Sequence, residues 1–138
     1  MTAAQAESAM SAEQGYQQAL QLTLRLAVAH HESDQLQEAE QLYRGILATE
    51  PGQPQASHNL GLLLLQLHQA AAALPHLEAA LAAKPESERY WLSYIDALRK
   101  DGQLVLARER LAFARKHGLQ GDAVGALAPS GVEPEFRT

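Results

Sequence analysis

The stretch HHESD, residues 30–34, is where the sequence comes nearest to a chemical motif, because histidines and carboxylates are the side chains that bind divalent metals. It begins as the zinc-binding pattern H-E-x-x-H begins, in which two histidines one helical turn apart face the same ion and the glutamate activates water. Counted from His31, however, the fifth position is Gln35, so the second ligand is missing. His30 and Asp34 remain an i,i+4 pair on one helix face, but a zinc site needs three or four ligands. His58, His68, His76 and His117 are scattered and read as groove or surface side chains. The chain has no cysteine, which removes disulfides, zinc–thiolate centres and a cysteine nucleophile. No serine stands in G-x-S-x-G, the glycines lack phosphate-loop spacing, and no motif pairs two carboxylates for acid–base work. The expectation is a chain with no catalytic residue, no cofactor and no metal.

Such a chain offers surface rather than chemistry, and composition says what builds it. Its 138 residues, 46% of them hydrophobic, are the size of one ordinary domain with a core. Ala, Leu and Gln are abundant while Val, Ile and Thr are few, so the elements are expected to be all-α. From Pro51 to Leu77 no Lys, Arg, Asp or Glu occurs, yet Gln66, His68, Gln69, Pro75 and His76 interrupt the run. It falls short of the roughly 20 apolar residues a spanning helix needs, so no membrane partner is expected. The opening MTAAQAESAM lacks a basic region and an apolar stretch of signal-peptide length, which makes the cytoplasm the expected location.

The organisation of the chain is periodic. Pro51 and Pro85 lie 34 residues apart, and the same interval joins Ala39, Ala73 and Ala107; Tyr43, Leu77 and Leu111; Ile46, Ala80 and Ala114; and Leu26, Leu60 and Tyr94. A 34-residue self-similarity is the mark of a helix–turn–helix array. HNLGLLLL supplies Leu60 and Gly61 for an L-G pair, YWLSYIDAL supplies Trp91, and the A-x3-F step appears as Ala39 with Tyr43, Ala73 with Leu77 and Ala107 with Leu111. On these residues, over 20–119, the sequence resembles the tetratricopeptide repeat family. It departs from the pattern at Thr23 and Ser57 in place of tryptophan, at Ala27 and Ile95 in place of glycine, and at Leu119 in place of a third closing proline.

The resemblance implies a right-handed superhelical stack of antiparallel helix pairs, an α-solenoid of about three repeats: 20–53, 54–87 and 88–119. Helices are expected near 12–31, 37–48, 54–67, 71–83, 88–100 and 104–117. In that frame Pro75 falls close to the first turn of the fourth helix, where its missing N–H costs little. Ser11 with Gln14 reads as a capping box for the first helix, and ARKHG as a basic last turn closed by a glycine. Residues 1–19 are an N-terminal extension that turns helical from about residue 12, with an acidic start expected to fray. In 120–138, DAVGALA suggests a short cap helix from Asp122 and PSGVEPEFRT a disordered tail.

In tetratricopeptide arrays the first helix of each pair lines a concave groove. Carried onto this chain, those positions are Gln21, Leu24, Val28 and His31; then Gln55, His58, Asn59, Leu62 and Leu65; then Arg89, Leu92, Asp96, Arg99 and Lys100. Leu24, Val28, Leu62, Leu65 and Leu92 are expected to form an exposed apolar stripe, and the resemblance implies a protein-interaction scaffold that binds a partner's peptide or helix there. Only Asn59 and Arg89 fit the carboxylate clamp of some family members, so chaperone-tail binding is not expected. Residues 84–119 also resemble the stretch that precedes glycosyltransferase or sulfotransferase-like domains in bacterial proteins, which implies an alternative role as a module of a larger enzyme. Charge is uneven: residues 84–119 hold eight Lys or Arg against five acids, and residues 1–83 hold two against eight. That polarity favours self-association of copies or an acidic partner for Arg89, Arg99, Lys100, Arg108 and Arg110. Nucleic acid is disfavoured by the net charge of −5 and by the lack of interleaved aromatic residues.

Overall fold

A computed structural model describes residues 2–118. These residues form six helices with no strand among them: α1 Ala3–Glu32, α2 Leu36–Thr49, α3 Pro54–Gln66, α4 Ala70–Ala83, α5 Glu88–Lys100 and α6 Leu104–Lys116. Each packs on the next in sequence, and α3 also meets α5. Five of the helices lie within one or two residues of their expected bounds. The expected short helix after Asp122 and the tail lie outside the described residues.

The first helix departs from expectation. It starts nine residues before the expected boundary, because Thr2 and Gln5 make the capping box that Ser11 and Gln14 were expected to make. Gln5 donates its backbone N–H to the Thr2 hydroxyl at 3.2 Å, and Thr2 N–H reaches the Gln5 side-chain oxygen at 2.8 Å. No proline or second cap interrupts the 30 residues that follow, so α1 runs for about 45 Å and the acidic start belongs to it. Tyr16 ties this length to the core by donating its hydroxyl to Glu50 at 2.7 Å.

The turns repeat with the period of the sequence. After α1, α3 and α5 the chain passes through a left-handed residue, at Asp34 (φ 63°), His68 (φ 59°) and Gly102 (φ 82°). At each, the left-handed N–H bonds three residues back and the next N–H five residues back: Asp34 to His31 and Gln35 to His30, His68 to Leu65 and Gln69 to Leu64, Gly102 to Arg99 and Gln103 to Leu98. That is the Schellman arrangement, which satisfies carbonyls the helix end leaves bare. The links after α2 and α4 repeat as well. Gln53 and Ser87 bond back to Glu50 and Lys84, and their side chains cap Ala56 and Tyr90 at 2.7 and 3.3 Å. Gly118 (φ 104°) ends α6 behind Arg115 and Lys116, as ARKHG predicts.

Pro75 is a correction. The fourth helix begins at Ala70, so Pro75 is its sixth residue and lies past the amides that a helix start leaves unbonded. Its ring removes the bond to the Ala71 carbonyl. Both residues are exposed, so water reaches that carbonyl and the helix continues.

One continuous core runs through all six helices, and the periodic columns build it. Ala39, Ala73 and Ala107 are buried, as are Tyr43, Leu77, Ile46, Ala80 and Ala114. Small residues let the helices approach, most closely at Gly61, where an added Cβ would stand 2.5 Å from the Leu77 side chain. The fourth column breaks at its first member: Leu60 and Tyr94 are buried, whereas Leu26 is exposed.

Candidate interaction surface

The fourteen residues expected to line a groove sit on the first helices of the three pairs, but most do not face solvent. Leu24, Val28, His31, Gln55, His58, Asn59, Leu65 and Leu92 are buried, and Gln21, Leu62 and Asp96 are half-buried. Arg89, Arg99 and Lys100 are exposed. The expected apolar stripe is therefore absent: of its five members only Leu62 is partly open. Helices packed each on the next in sequence, with α3 also against α5, enclose these side chains.

Polar contacts show how closely they meet. His31 on α1 bonds Gln66 on α3, and His58 on α3 bonds the Ser93 hydroxyl on α5 at 2.7 Å. Each pair is separated by 35 residues, one more than the repeat. The His58 and Tyr90 rings lie 4.6 Å apart between centroids. The Gln66 side-chain oxygen only accepts, so His31 Nε2 carries the proton and Nδ1 accepts the Tyr43 hydroxyl at 2.9 Å. Asn59 stands by both Tyr43 and His58 and acts on the proton affinity of each. A row of polar side chains, Gln66–His31–Tyr43–Asn59–His58–Ser93, thus runs through all three helix pairs. Burial costs polar groups their water, and the bonds of His31 and His58 offset part of that loss.

No family model matches the sequence, and no curated protein is similar to it.

Burial disfavours charge in the polar chain and lowers the affinity of His58 for a proton to a pKa of about 3, with the Arg89 charge acting in the same direction and the Asn59 bond opposing. His31 is lowered by burial, against the pull of its Gln66 bond. Tyr43 is raised above the ordinary phenol range by burial, its Asn59 bond acting the other way. All three side chains are neutral at pH 7, and their role is to bond helices together.

The surface left open is polar and basic at α5. Lys100 pairs with Asp96 at 2.8 Å and Arg99 approaches the same carboxylate at 3.9 Å. Beside them a pocket of about 400 Å³ is lined by Leu65, Gln66, His68, Ala70 and Lys100. Gln66 and His68 were not among the expected residues, although Gln66 follows its groove neighbour Leu65 directly.

The other sequence candidates lead elsewhere. The Nδ1 atom of His30 faces the Gln35 side-chain oxygen at 2.5 Å, and Asp34 is taken up in the left-handed turn. Among the described residues no three His, Asp or Glu side chains converge as metal ligands would, and no helix is long and apolar enough to cross a membrane.

Proposed function

We propose that the chain is a non-catalytic interaction module of the tetratricopeptide type, its hairpins stacked in a right-handed superhelix and its first helices presenting a groove to a partner protein. The observation that carries this reading is the recurrence of left-handed turns at Asp34, His68 and Gly102. Stacked hairpins must leave each first helix at the same angle, and a backbone that repeats at 34 residues meets that need. The open part of the inner face then sets the partner's chemistry. The exposed Arg89, Arg99 and Lys100 on α5, with the half-buried Leu62 on α3, suit an acidic peptide or helix that carries an apolar side chain.

The test is a random-peptide display library panned against the full chain at low and high salt. Acidic sequences with a recurrent apolar position should be enriched, and a synthetic peptide of that sequence should bind less tightly as salt rises. Arg99→Glu with Lys100→Glu should abolish capture while far-ultraviolet circular dichroism stays helical. Enrichment of basic or neutral sequences, or capture unchanged in that variant, refutes the groove reading. Leu65→Asp is unsuitable as a control, because Leu65 is buried and its replacement would disturb the core.

A further inference from the structure

Equivalent positions in the three hairpins are unequally covered. Leu22 and Leu26 of α1 correspond, at one and two repeats, to Ala56 and Leu60 of α3 and to Tyr90 and Tyr94 of α5. The four later residues are buried, whereas Leu22 is 63% and Leu26 51% exposed. What α3 and α5 have is a preceding hairpin: α3 packs on α2, and α5 on α4.

The far end shows the reverse. Leu36 and Ala70 are half-buried, while their counterpart Leu104 is 57% exposed. Tyr43 and Leu77 are buried but Leu111 only half so, and the buried Leu74 gives way to the exposed Arg108. Leu47 and Leu81 are half-buried where Arg115 is exposed. Leu104, Arg108, Leu111 and Arg115 fall on one stripe of α6. The two ends are therefore the unmatched halves of a junction that the fold already makes twice. Their charges are complementary too: α1 and α2 with their turn carry six acids against two arginines, and α5 and α6 with theirs seven Lys or Arg against four acids.

We propose that the α6 end of one copy docks on the α1 end of a second copy, so that Leu22 and Leu26 enter the environment that Ala56 and Leu60 have against α2. The contact is heterologous and does not close, so assembly grows head to tail. This concerns the ends of the array and is independent of what the groove binds.

Sedimentation velocity of the full chain across concentration tests it, at low and high salt. Two variants block one end each, Leu22→Asp with Leu26→Asp at the head and Arg108→Glu with Arg115→Glu at the tail. All four positions are exposed, and circular dichroism checks that the helices persist. The unmodified chain should gain mass with concentration and lose it with salt. Each variant alone should associate at least about tenfold more weakly. Mixed, the two should form a one-to-one dimer, because each retains the end the other lacks. A chain that stays monomeric throughout overturns the proposal. So does a dimer that the tail variant leaves intact, which would mean symmetric pairing through α1.

Discussion

Acidification should cost this protein stability through His58, at a rate its burial sets. In the unfolded chain a histidine takes up a proton near pH 6.5. In the fold His58 is enclosed against Ser93, Tyr90 and Asn59 with the Arg89 charge nearby, and it protonates only near pH 3. Between those values the unfolded state binds a proton the native state refuses, so stability is complete above about pH 6.5 and falls as pH falls. The slope is about 1.4 kcal/mol per pH unit, or roughly 3 kcal/mol by pH 4.5, and it flattens below about pH 3. His31 acts in the same direction, since burial lowers it as well. A domain of this size has roughly 5–15 kcal/mol to lose.

Urea unfolding followed by far-ultraviolet circular dichroism, from neutral pH down to about 4.5, measures the loss. Acid also protonates carboxylates, so the decisive comparison is with His58→Gln, whose amide can donate to or accept from Ser93 and does not titrate. The two chains share every other group. The difference between their slopes should approach about 1.4 kcal/mol per pH unit, with the variant the flatter. Parallel losses in the two chains would refute the assignment of the acid sensitivity to His58.

Three further substitutions probe the frame that holds this network. Gly61→Ala gains helix propensity but forces a methyl into the buried Leu77 side chain, and a net loss of about 1–3 kcal/mol in urea unfolding is expected. Pro75→Ala restores the bond to the Ala71 carbonyl inside α4 and should stabilise by about 1–2 kcal/mol, the proline's stiffening of the unfolded chain offsetting part of the gain. At the repeated left-handed turns the sign should depend on the residue present: His68→Gly should raise the thermal midpoint and Gly102→Ala lower it, each by the equivalent of about 1 kcal/mol.

The helices were legible because their signals are local and repeated. Buried Ala39, Ala73 and Ala107 recur at the interval the sequence displays, and five pairs of boundaries follow from it. Two local readings failed because a competing signal stood close by. Thr2 and Gln5 offered the first helix an earlier cap than Ser11 and Gln14, and the Ala70 start moved Pro75 deeper into α4. The left-handed column went unread because Asp34, His68 and Gly102 share a backbone conformation and no side-chain type. The exposed apolar stripe was misread for a different reason. Periodicity tells which residues occupy equivalent places, but how far neighbouring first helices stand apart is a tertiary quantity. α3 and α5 stand close enough for His58 to bond Ser93, and packing of each first helix on its sequence neighbours buries Leu24, Val28, Leu65 and Leu92. A spacing of 35 between polar residues, as in His31 with Gln66 and His58 with Ser93, was the trace available in the sequence.

Buried polar groups in a fold built from repeats have a physical use that apolar columns cannot supply. Ala39, Ala73 and Ala107 are interchangeable, so apolar packing alone hardly distinguishes one junction from another. The polar links differ: α1 meets α3 through His31 and Gln66, α3 meets α5 through His58 and Ser93, and Tyr43 with Asn59 joins the two. A hairpin placed at the wrong junction would leave several of these groups buried without partners, at about 1–3 kcal/mol each. Apolar columns thus supply most of the cohesion, and the polar chain fixes the order in which hairpins join. The outer ends carry no such key. Leu22 and Leu26 face outward among polar side chains, and the stripe on α6 ends in Arg108 and Arg115. A joint made there is governed by charge and apolar contact, which is why salt should loosen an assembly of copies while leaving the three hairpins within each copy in place.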